Sequence, residues 1–266
     1  MNVLRINPSD IMALLERLKT QNAGFSIRNL RSWSLSMAKV SAIVSAYYAE
    51  PYIEGRILNL QQQTLRPQII VVAQEKSIEA RIAEGILNGE DVLVDTPDVP
   101  SIYTAWNLGI EAARGEYITN ANSDDRLAGY AIEFLASALD RNPTHAVAYA
   151  DVDIVEDLTG GFDYAWRTGY FKWAEGGFDE LMKHFFLGPQ PMWRKSLHDK
   201  YGPFDASFQS AGDYEFWLRL AAHNETFHHL REVLGIYLRR PDQAEARFNA
   251  DGTARKEIDL ARQRYS

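Results

Sequence analysis

Apolar residues along the middle of the chain fall into two kinds of run. Val40–Ala46 and Ile69–Ala73 are short, nearly continuous apolar stretches rich in β-branched residues. That is the pattern of strands covered on both faces. Val92–Val94 and Tyr117–Thr119 read the same way. Between these runs the apolar positions change to helical spacing. Pro51 opens a helix to about Gln62 with Ile53, Ile57, Leu58 and Leu60 on its apolar face. A second helix is predicted around Ile78–Leu87. A third covers Ile102–Ala113, with Gly115 ending it. Strands alternating with helices predict an α/β fold: a mostly parallel central sheet flanked by helices, joined by right-handed crossovers. In such sheets ligands bind beyond the carboxyl ends of the strands. That rule directs attention to Ala46–Glu50, Ala73–Ser77, Asp95–Pro100 and Asn120–Arg126.

The flanking regions read differently. Ile11, Leu14, Leu15 and Leu18 recur at helical spacing after Ser9 and Asp10, either of which can cap a helix. Residues 1–38 are therefore read as an N-terminal extension with one amphipathic helix. Residues 39–143 form the alternating half. In residues 144–240, His145–Val155 has β character and 157–177 reads as loop or hairpin. Phe178–Phe186 is a short helix, Asp213–Ala222 a firmer one, and Leu234–Leu238 a strand. Residues 241–266 end in a charged helix over Thr253–Gln263, with Ile258 and Ala261 inward.

Composition narrows the function classes. Among 266 residues, 28 Lys and Arg face 36 Asp and Glu, a formal net charge of −8. A net acidic chain is a poor generic ligand for nucleic-acid backbones, so no nucleic-acid partner is expected. No run of apolar residues is long enough to span a membrane. The N-terminus lacks a signal-peptide core. There is no cysteine, which excludes disulfides, thiolate metal sites and cysteine nucleophiles. These features fit a cytoplasmic protein, with room for a peripheral association with the inner face of a membrane. His228-His229 reads as two ordinary residues, since neighbours on a strand point to opposite faces.

The sharpest chemical signal is Asn122-Ser123-Asp124-Asp125, just beyond the predicted strand at Tyr117. Two adjacent carboxylates there can hold a hard divalent cation, Mn²⁺ or Mg²⁺, of the kind that bridges substrate phosphates. Three blocks in order then carry a resemblance. Ser101-Ile102-Tyr103-Thr104-Ala105-Trp106-Asn107-Leu108-Gly109-Ile110 is followed by Ala113-Arg114-Gly115-Glu116-Tyr117-Ile118, and then by Asn122–Asp125. Together they resemble the "G-I-Y-x-A-x-N-x-G-I", "A-x-G-E-Y-I" and "D-x-D" blocks of family 2 glycosyltransferases with the GT-A fold. Farther on, Gly188–Arg194 looks like that family's acceptor-side strand and Gly202-Pro203-Phe204-Asp205 is similar to its "G-x-F-D" turn. Ser210–Trp217 resembles the "E-D-x-x-x-W" helix start.

The resemblance implies an inverting transfer of a sugar from a nucleotide-diphosphate sugar to a hydroxyl of a glycan or lipid-linked glycan. Its usual setting is polysaccharide, O-antigen or capsule assembly, and the chain can serve as a module of a larger enzyme. Asp213 takes the place of the general base. Asp124, with Asp125, takes the place of the metal ligands. Donor contacts fall on Ala46, Tyr47, Gln74, Asn107, Asn122 and Ser123, and acceptor contacts on Gln190, Trp193 and Trp217. Three departures stand out. Ala73-Gln74 replaces the acidic pair after the second strand, Asn122 replaces the first Asp of "D-x-D", and Arg240 stands where a "Y-R-x-H" His is common. Arg240 can pair with a diphosphate directly. Two other classes compete: an inactive GT-A-like module that binds a glycan or partner, and a sugar nucleotidyltransferase. The second usually carries a Gly-rich basic loop after the first strand, and Ala46–Glu50 has no Gly, Lys or Arg.

Overall fold

A computed structural model of the chain describes residues 4–6, 38–98 and 101–266. The helix expected over Ile11–Leu18 lies outside the described residues. The alternating half folds as its pattern predicts. Strand β2 (Val40–Ala46), helix α1 (Glu50–Gln61), β3 (Gln68–Gln74), α2 (Ile78–Ile86), β4 (Val92–Thr96), α3 (Ile102–Ala112) and β5 (Tyr117–Asn120) follow in order. A short β1 (Leu4–Ile6) adds to the edge beside β4. These five strands pair in parallel, in the order β1-β4-β3-β2-β5.

Period-two alternation decides which side of the sheet each strand residue serves. Val40, Ala42, Val44 and Ala46 of β2 pack with Ile53, Ile57 and Leu60 of α1 on one face. Ile43 points to the other, with Tyr103, Trp106 and Ile110 of α3. Gly109 is what lets α3 lie this close. A Cβ there would come within 2.4 Å of the Ile43 Cγ2, well inside van der Waals contact. Gly115 plays a similar part at the start of β5, where its amide donates to Ser41 Oγ at 2.9 Å.

Beyond Asn120 the sheet continues but its direction mixes. β6 (Arg126–Leu127), α4 (Ala131–Arg141), β7 (His145–Val155), α5 (Gly161–Tyr164), β8 (Arg167–Phe171), α6 (Phe178–Leu181), β9 (Met192–Arg194), α7 (Ser196–Tyr201), α8 (Gly212–Ala222), β10 (Thr226–Leu238), α9 (Ala244–Ala250) and α10 (Thr253–Tyr265) follow. Strand β9 enters antiparallel between β5 and β7. It joins the two halves into one sheet, continued by β10 parallel to β7 and by β6 antiparallel to β10. The expected hairpin over 157–177 is β8, antiparallel to β7.

Several elements differ from the sequence expectation. The helix expected over Phe178–Phe186 ends at Leu181, and Ser196–Tyr201 forms a helix that the sequence pattern does not predict. β10 begins at Thr226, well before Leu234, because exposed Arg231 and Glu232 interrupt its apolar pattern at a register shift against β7. Helix α9 carries too few apolar residues to announce itself. The two histidines do point apart. His229 bonds Asp151 at 2.8 Å and stacks on Tyr149, while His228 faces His145.

Candidate functional site

The carboxyl ends of β2 and β5, the start of α3 and the residues after β10 enclose a cavity of about 660 Å³. Ser45–Tyr48 form one wall. Tyr48 takes a left-handed φ of 52°, which turns the chain sharply out of β2. Asn122, Ser123 and Asp124 form the floor, and Arg240 and Arg247 line it from the C-terminal side.

The two adjacent aspartates divide. Asp124 faces the cavity and its Oδ2 accepts from Arg240 Nη2 at 2.9 Å. Asp125 turns inward and is buried. Its Oδ1 accepts from the Leu238 amide and its Oδ2 from Asn122 Nδ2, each at 3.2 Å. Burial, reinforced by the neighbouring Asp124 charge, pushes the Asp125 carboxyl up to about 7. Its environment thus favours the neutral form. Nearby Arg56 is fully buried, and burial pulls its guanidinium down to about 9. It donates to Gln190 Oε1 at 2.5 Å and to Asn59.

Arg240 is fixed from several sides. It donates to Asp124 and, through Nη1, to Asp242 Oδ1 at 2.9 Å. Its guanidinium sits 4.8 Å over the Tyr52 ring, a distance at which a cation and a ring face attract. Burial opposes its charge, but the bond to Asp124 outweighs this and holds the group above the ordinary arginine value. Its Nε is buried without a hydrogen-bond partner among the described residues, as is Oδ1 of Asn122.

A second cavity of about 520 Å³ adjoins the first. Ile102, Asn122, Gln209, Tyr237, Glu245 and Phe248 line both. The second is aromatic: Phe171 and Trp173 stack with centroids 4.9 Å apart, and Phe185, Tyr214 and Tyr103 complete its walls. Asp213 opens into it from the first turn of α8. Its Oδ1 accepts from the Tyr214 amide at 2.9 Å and from the Tyr103 hydroxyl at 3.1 Å. Gly212 permits that approach, since a Cβ there would meet the Tyr103 ring at 2.7 Å. Burial pushes the Asp213 carboxyl up to about 6, against the two hydrogen bonds and with some help from the charge of Glu245. A carboxylate so tuned is charged at neutral pH yet basic enough to take a proton.

The loop that leads into α8 and Asp213 is strapped down by α10. Glu257 accepts from the amides of Gln209, Ser210 and Ala211, each at 2.8 Å.

Of the residues singled out from sequence, Ala46, Tyr47, Asn122, Ser123, Asp124 and Arg240 line the first cavity, and Asn122 and Asp213 the second. The others lie elsewhere. Gln74 is exposed, reaches Pro97 O at 3.3 Å and lines neither cavity. The Asn107 amide is spent on the backbone of Phe204, donating to its carbonyl at 2.9 Å and accepting from its N–H at 3.0 Å. It fastens α3 to the Gly202–Phe208 turn rather than facing a nucleotide.

The expected acceptor contacts give way to burial. Trp193 and Trp217 are 0% and 1% exposed, with rings 5.5 Å apart in an aromatic core with Phe204 and Phe216. Gln190 is buried against Arg56. Residues that sequence reasoning passed over include Gln209, Glu245, Arg247 and Phe248.

The donor set for a divalent cation is poor. Of the two adjacent aspartates, Asp124 faces the cavity and is already in contact with a guanidinium; of the other lining carboxylates, Asp242 pairs with that same guanidinium and Glu245 accepts from the Tyr237 hydroxyl. Asp125 is turned inward, with both carboxylate oxygens already accepting hydrogen bonds from the Leu238 amide and Asn122. Among the described residues, no three His, Cys, Asp or Glu side chains gather as a metal-binding group. Hard cations want several oxygen ligands, and of the Asn122–Asp125 turn only Asp124 offers a carboxylate to the cavity, beside the amide of Asn122 and the hydroxyl of Ser123. The expected pairing of Asp124 with Asp125 around Mn²⁺ or Mg²⁺ does not fit these positions. Among the described residues, no helix is long and apolar enough to cross a membrane.

With this geometry in place, the likenesses to known proteins can be weighed. A family model described as glycosyl transferase family 2 matches residues 41–210. An uncharacterized glycosyltransferase, YwdF, of Bacillus subtilis (strain 168) is 24% identical over 185 residues, 69% of this chain and 68% of that protein. An uncharacterized glycosyltransferase of Haemophilus influenzae is 33% identical over 105 residues, 37% of this chain and 41% of that protein. Among solved structures, S. aureus TarS 1–349 in complex with UDP-GlcNAc is 17% identical, with a TM-score of 0.65 over 84% of this chain and 66% of that one. The mannosyltransferase PcManGT from Pyrobaculum calidifontis, in complex with GDP-Man and Mn²⁺, is 17% identical, with a TM-score of 0.58 over 84% of this chain and 62% of that one. This chain thus spans less than two thirds of either solved protein. At such identities the structural likeness speaks for the GT-A fold alone.

Proposed function

This chain belongs to glycosyl transferase family 2, and from that premise we propose that it transfers a sugar, with inversion, from a nucleotide-diphosphate sugar to an acceptor hydroxyl. The donor's nucleotide occupies the cavity of Tyr47, Asp124 and Arg240. The acceptor enters the aromatic cavity of Trp173, Phe185 and Tyr214. UDP-GlcNAc in TarS and GDP-Man in PcManGT support a nucleotide-sugar as the donor class. A glycan or lipid-linked glycan is the acceptor class that stacking on aromatic walls favours. The family resemblance extends this reading to polysaccharide, O-antigen or capsule assembly, beside the inner face of a membrane.

In this reading the acceptor oxygen attacks the anomeric carbon as the bond to the leaving phosphate oxygen breaks. The electron pair of that bond leaves with the nucleoside diphosphate. The acceptor proton passes to Asp213, and one displacement gives inversion. Tyr103 and the Tyr214 amide hold Oδ1 of Asp213 in place. The observation that carries the proposal is Asp213 itself. It is a recessed carboxylate raised to about 6, facing a cavity that shares walls with the one lined by Asp124.

Asp213→Asn keeps the shape and the Tyr103 bond but removes the base. It is expected to lower turnover by about 10²–10⁴-fold, read as nucleoside diphosphate released from a panel of UDP- and GDP-sugars with glycan acceptors. Thermal shifts by UDP or GDP should stay at the wild-type size. Wild-type turnover in this variant would remove Asp213 from the chemistry. Nucleotide binding without turnover in the wild type would favour a non-catalytic binding module.

A further inference from the structure

We infer that the donor's diphosphate is held by the Arg240 guanidinium in place of a divalent cation. This rests on the transferase reading above and concerns how that reaction's leaving group is stabilised.

The inference begins with which charge occupies the floor of the donor cavity. Of the two adjacent aspartates Asp124 is the one that faces it, and a cation is already bound there: Arg240 Nη2 lies 2.9 Å from its Oδ2. A metal ion coordinated by Asp124 would have to displace that guanidinium or sit against its positive charge. The second aspartate offers no help, because Asp125 is committed to the Leu238 amide and Asn122.

Arg240 is, by contrast, arranged as a recognition group. The Asp124 and Asp242 contacts and the Tyr52 ring hold the guanidinium plane. Two of its nitrogens carry these bonds, and Nε is buried without a partner among the described residues. Nη1 and Nη2 each carry a second N–H beyond these bonds, and the residue lines the cavity, so the guanidinium can donate to a phosphate oxygen while both carboxylates hold it. The planar fork matches the spacing of phosphate oxygens, which a point charge does not. Arg247, on α9, lines the same cavity and brings a second guanidinium.

Charge opposes this arrangement in one respect. Asp242 and Glu245 also line the cavity. Asp242, however, is 76% exposed and its field is screened by solvent, and Glu245 accepts from the Tyr237 hydroxyl. Locally, the groups at the cavity floor are Arg240 and the Asp124 that orients it. As the glycosidic bond breaks, negative charge builds on the diphosphate, and a fixed guanidinium stabilises it without reorganising.

The test is binding of UDP, GDP, dTDP and CDP, by thermal shift and calorimetry, in EDTA and in Mn²⁺. The wild type is expected to bind one of them equally well in both. Arg240→Ala should weaken that binding by about 10- to 100-fold, while Arg240→Lys keeps part of it. Arg240→His frees Asp124 and should bind better in Mn²⁺ than in EDTA. Melting without nucleotide shows whether each variant is folded, and the wild-type comparison needs no variant. Wild-type binding that appears only with Mn²⁺, or Arg240→Ala binding at wild-type strength, overturns the inference and leaves the transferase reading standing. No binding of any of the four nucleotides in either condition overturns both.

Discussion

On the donor side of the site, Asp124 lies 2.9 Å from a guanidinium, and opposite charges are set against each other at the cavity floor. Across the shared wall, Asp213 is held by a phenol and a backbone amide instead, among Phe171, Trp173 and Phe185. The carboxylates differ accordingly. One is bound to a cation that orients it and is oriented by it. The other is pushed up to about 6 because nothing equally strong offsets its burial. The contrast suits two tasks within one reaction: receiving a charge that develops on a leaving group, and receiving a proton. The halves that carry them contrast too. The donor side stands on parallel strands with aliphatic cores, and the acceptor side on a cluster of large rings.

The largest effect should come from that ring cluster. Trp217 is 1% exposed and packs edge-on against Trp193 and Phe204. Trp217→Ala is expected to cost about 3–5 kcal/mol of stability, seen as a large drop in melting temperature. Trp217→Phe should recover much of this and leave the acceptor KM unchanged. An acceptor KM that rises in a fully stable Trp217→Phe variant would return this residue to the acceptor surface and blur the division between core and cavity.

That prediction bears on how much was legible in the chain. The parallel half was readable because β2 and β3 are covered on both faces, so their apolar runs are unbroken. Asp124 and Asp213 were singled out through the resemblance of Asn122–Asp125 and Ser210–Trp217 to family 2 blocks, since an aspartate at a strand end or helix start is by itself an ordinary turn or cap residue. Sequence order could not show which face of an element each neighbouring side chain would take. Asn107 sits in the same helix as Tyr103 but is one turn farther along and reaches Phe204 instead of the site. Trp193 lies within β9, which inserts between β5 and β7, and Gln190 just precedes that strand; both are buried. Glu245, Arg247 and Phe248 reach the cavities from α9, whose polar composition gives no periodic signal. The Asp124–Arg240 contact joins residues 116 positions apart, and no local pattern encodes it.

A smaller effect is expected at Tyr47, the half-exposed ring on the donor wall. If it packs on the nucleoside base, Tyr47→Ala should raise the nucleotide Kd by about threefold to tenfold, with the pH profile of turnover unchanged. A shifted pH profile in this variant would mean that the two cavities are electrostatically coupled through the Ala46–Tyr48 turn, and the comparison would need redrawing.

The finest test addresses the tuning of Asp213 alone. The base acts in its ionised form, so kcat/KM should rise with pH through about 6 and level off above it. Two substitutions should move this limb in opposite directions. The Tyr103 hydroxyl donates to Asp213 and stabilises its charge, so Tyr103→Phe raises the carboxyl's pKa and moves the limb to higher pH. The Glu245 charge works against ionisation, so Glu245→Gln lowers the pKa and moves the limb to lower pH. On the rising part of the profile each change should be worth about threefold in rate, a decrease for Tyr103→Phe and an increase for Glu245→Gln. Above the plateau both effects on this term vanish, because Asp213 is then ionised in every variant. Opposite shifts at low pH that converge at high pH are a signature that general damage to the fold does not produce. Limbs that stay together would mean that the titrating group lies elsewhere, and the donor-side carboxylate would become the one to examine.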